Sequence, residues 1–325
     1  MRAVIVGEND SGQRLDRFLA KIAPALPASL MQKYLRMKKI KVNQRPGKRD
    51  LRLEFGDTVE LYINDEFFVQ PKKEEGWRLI KSPNLEIVYE DENLLLVDKR
   101  PGIVVHADDE GTVNTLIANI QAYLYLKGEW RPEEENCFVP ALCNRIDRNT
   151  GGIVIAAKNA EALRILNEKI RTREIRKFYL CAILGQMRPE KGTLKGYIFK
   201  DSVKNRVYVS KNPRKGAKTA ITCYRTLDWK DGISLVECEL KTGRTHQIRA
   251  QFAAAGHPLL GDGKYGNERE NRCYKRKYQA LYSYKLRFEF TTDAGCMNEL
   301  DGREWTVKDV DFVSEYFPDY PIGCP

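Results

Sequence analysis

From residue 85 onward the chain is cut into short β-type runs, and none of them leads into a glycine-rich phosphate loop. The runs are Ile87-Val88-Tyr89, Leu94-Leu95-Leu96-Val97, Ile153-Val154-Ile155-Ala156, Phe178-Tyr179-Leu180, Leu235-Val236-Glu237-Cys238-Glu239-Leu240 and Leu286-Arg287-Phe288-Glu289-Phe290. Apolar or alternating runs of this length read as strands. Helical periods interrupt them near residues 115–126, 160–171 and 246–255. This pattern predicts an α+β domain with a mostly antiparallel mixed β-sheet core flanked by helices and loops, over residues 85–325. A chain of 325 residues has room for a second, smaller domain.

Residues 12–63 read as helix, helix, then short strands, a small α/β unit. Leu15, Phe18 and Leu19 have helical spacing. A second helix follows Pro27, with Ser29 as its cap and with Leu30, Tyr34 and Leu35 facing inward. Ile40-Lys41-Val42-Asn43 and Thr58-Val59-Glu60-Leu61 alternate as strands, with a turn expected at Pro46-Gly47. This window holds 12 basic and 5 acidic residues, net +7 of the chain's +10. Arg14, Arg17, Lys33, Arg36, Lys38, Lys39 and Lys41 form a basic face denser than solubility requires, and the reading favoured is contact with RNA. The domain is placed at residues 1–75. A linker to about 84, containing Pro71, Gly76 and Pro83, leaves the two units some freedom.

The eight cysteines form no C-x-x-C pair, and the first 30 residues hold no apolar run of signal-peptide length. A cytoplasmic protein with reduced thiols is the plain expectation. No segment approaches the roughly 20 apolar residues that span a bilayer.

Two segments carry chemistry. In Asn144-Arg145-Ile146-Asp147-Arg148-Asn149-Thr150-Gly151-Gly152 an aspartate sits between arginines just before a strand, and taken alone this reads first as a salt-bridged turn. The second is Thr242-Gly243-Arg244-Thr245-His246-Gln247-Ile248-Arg249, followed by Gly256-His257 and Gly261-Asp262. Two histidines eleven residues apart without a well-spaced third ligand argue against a metal site. An arginine at a helix start suits an anion.

Together these segments resemble the central signatures of RluA-type RNA pseudouridine synthases, H-R-L-D-x-x-T-S-G and T-G-R-T-H-Q-I-R. The stretch from Glu90-Asp91 through Asp98-Lys99-Arg100-Pro101-Gly102 to Val105-His106 resembles the family's first signature. Arg176-Lys177-Phe178-Tyr179 resembles its K-x-Y element and Gln279-Ala280-Leu281 the closing one. The N-terminal unit is similar to the RNA-binding domain named after ribosomal small-subunit protein four, through Arg14-Leu15-Asp16, Ile40 to Asn43 and Gly56 to Val59. At Leu30 it departs from that domain's usual polar motif.

The resemblance implies isomerisation of uridine in RNA without cofactor or metal, by a monomer. Asp147 is the implied catalytic carboxylate. Arg244 is expected to pair with it and keep it charged, Arg145 to displace the target base, Tyr179 to stack on that base, and Ile248 to wall the detached ring. Arg148, His246 and Lys177, within the same signatures, are expected to contact substrate. Whether the carboxylate attacks the sugar, adds to the base or removes a ribose proton is open. Asn144, Gly152 and Tyr282 depart from the family's common His, Ser and His. Large-subunit ribosomal RNA is the preferred target by analogy. Transfer RNA is the alternative, and so is an idle RNA-binding or ribosome-assembly factor on the same scaffold.

Overall fold

The computed structural model describes residues 1–69, 76–107, 111–201, 203–266 and 268–322. They build two separate sheets. The smaller comprises β1 (Arg2–Ile5), β2 (Ile40–Val42), β3 (Arg45–Pro46) and β4 (Thr58–Leu61) in the order β1-β4-β2-β3, with helices α1 (Leu15–Ile22) and α2 (Ala28–Arg36). Leu15, Phe18 and Leu19 are buried with Leu35, Ile40, Val59 and Leu61, as their spacing requires. Met31 is buried where Leu30 and Tyr34 were expected, and those two are half-buried.

Two local expectations are corrected. Pro27 occupies the cap position of α2, and exposed Ser29 lies in its first turn, because the fixed φ of proline already sets the entry angle. The β2–β3 turn is Asn43-Gln44, at φ 51° and 64°, with Val42 facing Arg45 in register; Pro46 lies in β3. Asparagine tolerates the left-handed conformation that a two-residue hairpin demands.

The larger sheet has eleven strands: β5 (Ile87–Glu90), β6 (Leu94–Lys99), β7 (Ala141–Leu142), β8 (Gly151–Ala157), β9 (Ile175–Leu184), β10 (Lys191–Asp201), β11 (Arg206–Ser210), β12 (Lys218–Lys230), β13 (Ile233–Leu240), β14 (Leu281–Phe288) and β15 (Glu304–Thr306). Its main path is β11-β10-β12-β13-β9-β14-β8-β6-β5, with β7 on β8 and β15 on β14. Every pairing is antiparallel except β14 with β8. Along β6 and β8, Leu94, Leu96, Ile153 and Ile155 enter one apolar cluster, whereas Leu95, Val97, Val154 and Ala156 enter another. Both faces are thus covered, which is why these strands read as continuous apolar runs.

Helix α4 (Ala160–Thr172) covers the first face through Ala162 and Leu166. Helix α3 (Leu116–Lys127) covers the second through Leu116, Ile120 and Leu124. Thr115 caps α3 and Asn159 caps α4, each accepting from an amide three residues on. Helix α5 (Gln247–Ala254) adds Ile248 and Phe252 to the second cluster, and α6 (Glu268–Tyr274) and α7 (Asp311–Tyr316) complete the helices. Among the described residues no helix is long and apolar enough to cross a membrane.

The seam between β8 and β14 is narrow, a parallel contact of Gly151 with Tyr282 and Gly152 with Ser283. The signature's serine falls on Gly151 and its glycine on Gly152, so the departure expected at Gly152 lies one residue earlier. A Cβ on Gly151 would run into the Tyr282 ring, and one on Gly152, at φ 117°, would lie 2.5 Å from the Ser283 nitrogen. In the stretch expected as a linker, Pro71 lies outside the described residues. Trp77 beyond it is buried against Trp130 and Tyr125, at ring distances of 5.2 and 4.8 Å.

Candidate active site

A cleft of about 930 Å³ opens where three chain segments meet: the loop before β8, the start of β9, and the turn from β13 into α5. Asp147, with a side chain 27% exposed, lies in the first. Its loop is pinned from several sides. Buried Lys99, at the end of β6, donates from Nζ to the carbonyls of Arg148 (2.9 Å), Arg100 (3.1 Å) and Ile103 (3.1 Å). Gln279 Nε2 donates to Thr150 Oγ1 at 3.1 Å, and Asn144 Oδ1 accepts from the Ile155 amide at 2.8 Å. Asn144 therefore ties the loop to β8, a task open to a side-chain amide in place of the more usual imidazole.

The cation that meets Asp147 is Arg249, in the first turn of α5. Its Nη1 donates to Asp147 Oδ2 at 2.8 Å, while Nε and Nη2 donate in parallel to Asp262 at 2.7 and 3.0 Å. Asp262 is fully buried and also accepts from the amides of Lys264 and Tyr265. Burial alone would raise its carboxyl, but the Arg249 hydrogen bonds outweigh that and hold it below the usual carboxylate range. Burial pulls the Arg249 guanidinium down, and its two carboxylate partners more than compensate. The result is a fixed guanidinium fork with one arm directed at Asp147.

This corrects the pairing expected of Arg244. Its Nε donates to the Thr219 carbonyl at 3.0 Å, and its exposed side chain lies on the cleft wall. Arg244 belongs to the loop between β13 and α5, whereas Arg249 sits on a buried helical turn that faces Asp147. Arg249 and Asp262 stand in and just after the second signature, with no role implied for either by the sequence. No local signal separates Arg249 from Arg244, because the burial of the stretch Gln247 to Phe252 appears only once α5 is folded.

The other expected residues divide. Tyr179 and Ile248 are buried on the cleft wall, beside Arg145, which is exposed, and half-buried Lys177. Burial pushes the Tyr179 hydroxyl up to about 12 and the Lys177 ammonium down. His246 also lines the cleft, with Nε2 3.8 Å from Asp147 Oδ2 and Nδ1 2.8 Å from the Tyr265 hydroxyl, and desolvation pushes its imidazole down. Arg148 is the exception. It does not line the cleft, and its Nε donates to the Gly102 carbonyl at 3.3 Å, because the pinned turn directs it away from Asp147.

Of the N-terminal basic residues, Arg17, Lys33, Arg36, Lys38 and Lys39 are exposed, Lys41 is half-buried over Tyr62, and Arg14 is engaged by Asp16 at 2.7 Å. A second basic surface was missed. Residues 191–218, spanning β10 and β11, carry nine basic residues against one acidic. On this ribbon Phe199 and Tyr208 stack at 5.5 Å, with Arg214 over Phe199. Lys264 Nζ donates to the Asn205 carbonyl at 2.8 Å and Arg206 lies over Tyr265, which ties the ribbon's tip to the cleft. Counting charge in successive windows would have found it.

Residues 93–254 match the family model described as RNA pseudouridylate synthase. An uncharacterised RNA pseudouridine synthase of Mycoplasma genitalium is 33% identical over 87% of this chain and 88% of its own length. The ribosomal large subunit pseudouridine synthase C of Vibrio cholerae is 33% identical over 81% and 80%. Among solved structures, human RNA pseudouridylate synthase domain containing 4 shares the fold, with a TM-score of 0.55, 21% identity, and coverage of 73% of this chain and 94% of that one. With the ordered signatures assembled around one cleft, the chain belongs to the RNA pseudouridine synthases of the RluA type.

Proposed function

We propose that this chain converts uridine to pseudouridine in large-subunit ribosomal RNA, with Asp147 as the reacting carboxylate. The observation that carries the reading is the Asp147–Arg249–Asp262 chain at the cleft, which aims a carboxylate into a space large enough for a nucleoside. The ribosomal target rests on relatives such as the Vibrio cholerae protein named for the large ribosomal subunit.

The reaction breaks the bond from ribose C1′ to uracil N1, turns the ring, and joins C1′ to C5. N1 gains a proton and C5 loses one, so no electrons are exchanged. Arg249 holds the carboxylate in place and offsets its charge as water is excluded. Extracting a stacked uridine costs a few kcal/mol, about what a guanidinium left in the stack can help repay, and exposed Arg145 at the rim supplies that group. Ile248 gives the detached ring an apolar wall. The Tyr179 hydroxyl, pushed up to about 12, keeps its proton at neutral pH and serves as a neutral ring surface and hydrogen-bond donor. The basic faces at the N-terminus and on the β10–β11 ribbon supply phosphate contacts.

The test is Asp147→Asn with purified ribosomal RNA. The variant is expected to bind RNA as the parent does and to form no pseudouridine; retained turnover would refute the assignment. Pseudouridine maps of ribosomal and transfer RNA from cells with and without the gene decide the target class.

A further inference from the structure

The small N-terminal unit is stitched to the large sheet by a polar junction. Asp10, 1% exposed, accepts from the Gly7 amide (3.2 Å) and Gln13 Nε2 (3.3 Å) of its own unit, and from Asn136 Nδ2 (2.6 Å) and Cys137 Sγ (2.7 Å) across the junction. Asn136 Nδ2 also donates to the Ile5 carbonyl at 2.7 Å. Asn9 works the other side. Its Nδ2 donates to Glu135 Oε1 at 2.6 Å, and its Oδ1 accepts from the Ala160 amide at 2.9 Å, one of the helix-start donors of α4 that Asn159 leaves unpaired. Arg164 on α4 donates to the Ser11 carbonyl at 3.0 Å.

A carboxylate taken out of water is costly unless its lone pairs are met, and two of the donors to Asp10 belong to the other unit. Parting the units would undo those bonds and reopen the first turn of α4. Burial and the Asp10 charge push the Cys137 thiol up to about 12, so it stays protonated and keeps donating. The junction is sparse in apolar contact, with Cys137 packed at the edge of the N-terminal core. Such a surface orients two bodies without fusing their cores.

We propose that Asp10 and Asn9 form a latch that fixes the basic N-terminal unit relative to the catalytic cleft, and that they are positioning residues determining which RNA is modified. The proposal rests on the synthase reading above. With the two surfaces held at a set spacing, an RNA whose phosphates match it engages both without a further ordering cost, whereas a loose tether would accept many spacings.

The test uses the full chain with Asp10→Ala and Asn9→Ala, and Asn136→Ala from the opposite face in case the first two fold poorly. Small-angle scattering is expected to fit one rigid body for the parent and a broadened ensemble for the variants. On intact ribosomal RNA the variants' KM should rise about tenfold with kcat unchanged, since the covalent tether remains and only the pre-set spacing is lost. On a short stem-loop holding the same uridine both constants should stay at the parent's values, and Asp10→Asn should recover part of the KM loss. A parent that scatters as two independent bodies, or folded variants with an unchanged KM on intact RNA, would overturn the latch. Should the parent form no pseudouridine on either RNA, the synthase reading fails, and scattering alone decides the latch.

Discussion

Arg249 grips Asp262 through two parallel hydrogen bonds, which leaves only Nη1 to reach Asp147. A lysine offers one compact ammonium and no planar fork, so it cannot grip Asp262 bidentately and hold Asp147 in the same geometry. Arg249→Lys is expected to lower kcat at least about a hundredfold while KM moves little, because the lost contact aims the carboxylate proposed to react. Arg244→Ala should do the reverse and raise KM with a small change in kcat. Steady-state pseudouridine formation by both variants checks the assignment, and equal kcat losses would restore the Arg244 pairing.

The Lys99 ammonium is pushed down to about 7 by burial, from 10.5. A group with a depressed folded value releases its proton in the native state while the unfolded chain still binds it. Between pH 7 and about 10.5 the unfolded state therefore holds more protons, and stability rises with pH through that window. In Lys99→Met this contribution is absent. The Tm of the parent should gain on that of the variant as pH rises from 7 to 9.5, and a constant difference would contradict the buried-amine account.

Gly152→Ser would replace the signature's glycine with a residue whose Cβ meets the Ser283 nitrogen and carbonyl carbon at 2.5 and 2.6 Å, at a φ of 117° that is strained for any side chain. A loss of about 2–4 kcal/mol is expected, read as a fall in the midpoint of urea unfolding. Unchanged stability would mean that the β8–β14 seam opens more easily than its geometry implies.

Much of the catalytic sheet is legible in the sequence because strands covered on both faces leave continuous apolar runs, as at Leu94 to Val97 and Ile153 to Ala156. β10 and β11 escaped notice because exposed Lys191, Thr193 and Lys195 alternate with half-buried Gly192 and Leu194, so no apolar run marks them. At the site, Asp147, Tyr179 and Ile248 could be named from their signatures. The choice between Arg244 and Arg249 could not, since both lie in one motif and only the turn into α5 decides which faces the carboxylate. Asn9 and Asp10 bond to residues more than 120 positions away, a relation that no local pattern encodes.

The ribbon has a second consequence. β11 ends the sheet's path, and its Arg206-Val207-Tyr208-Val209-Ser210 is the kind of segment that recruits a strand from another copy. Exposed Lys204 precedes it and Lys211, Arg214 and Lys215 follow, so two such edges brought together would set like charges side by side. The cations that would attract a phosphate backbone thus also act as gatekeepers against self-assembly. An attempt to weaken RNA binding by neutralising them would expose the chain to edge-to-edge aggregation.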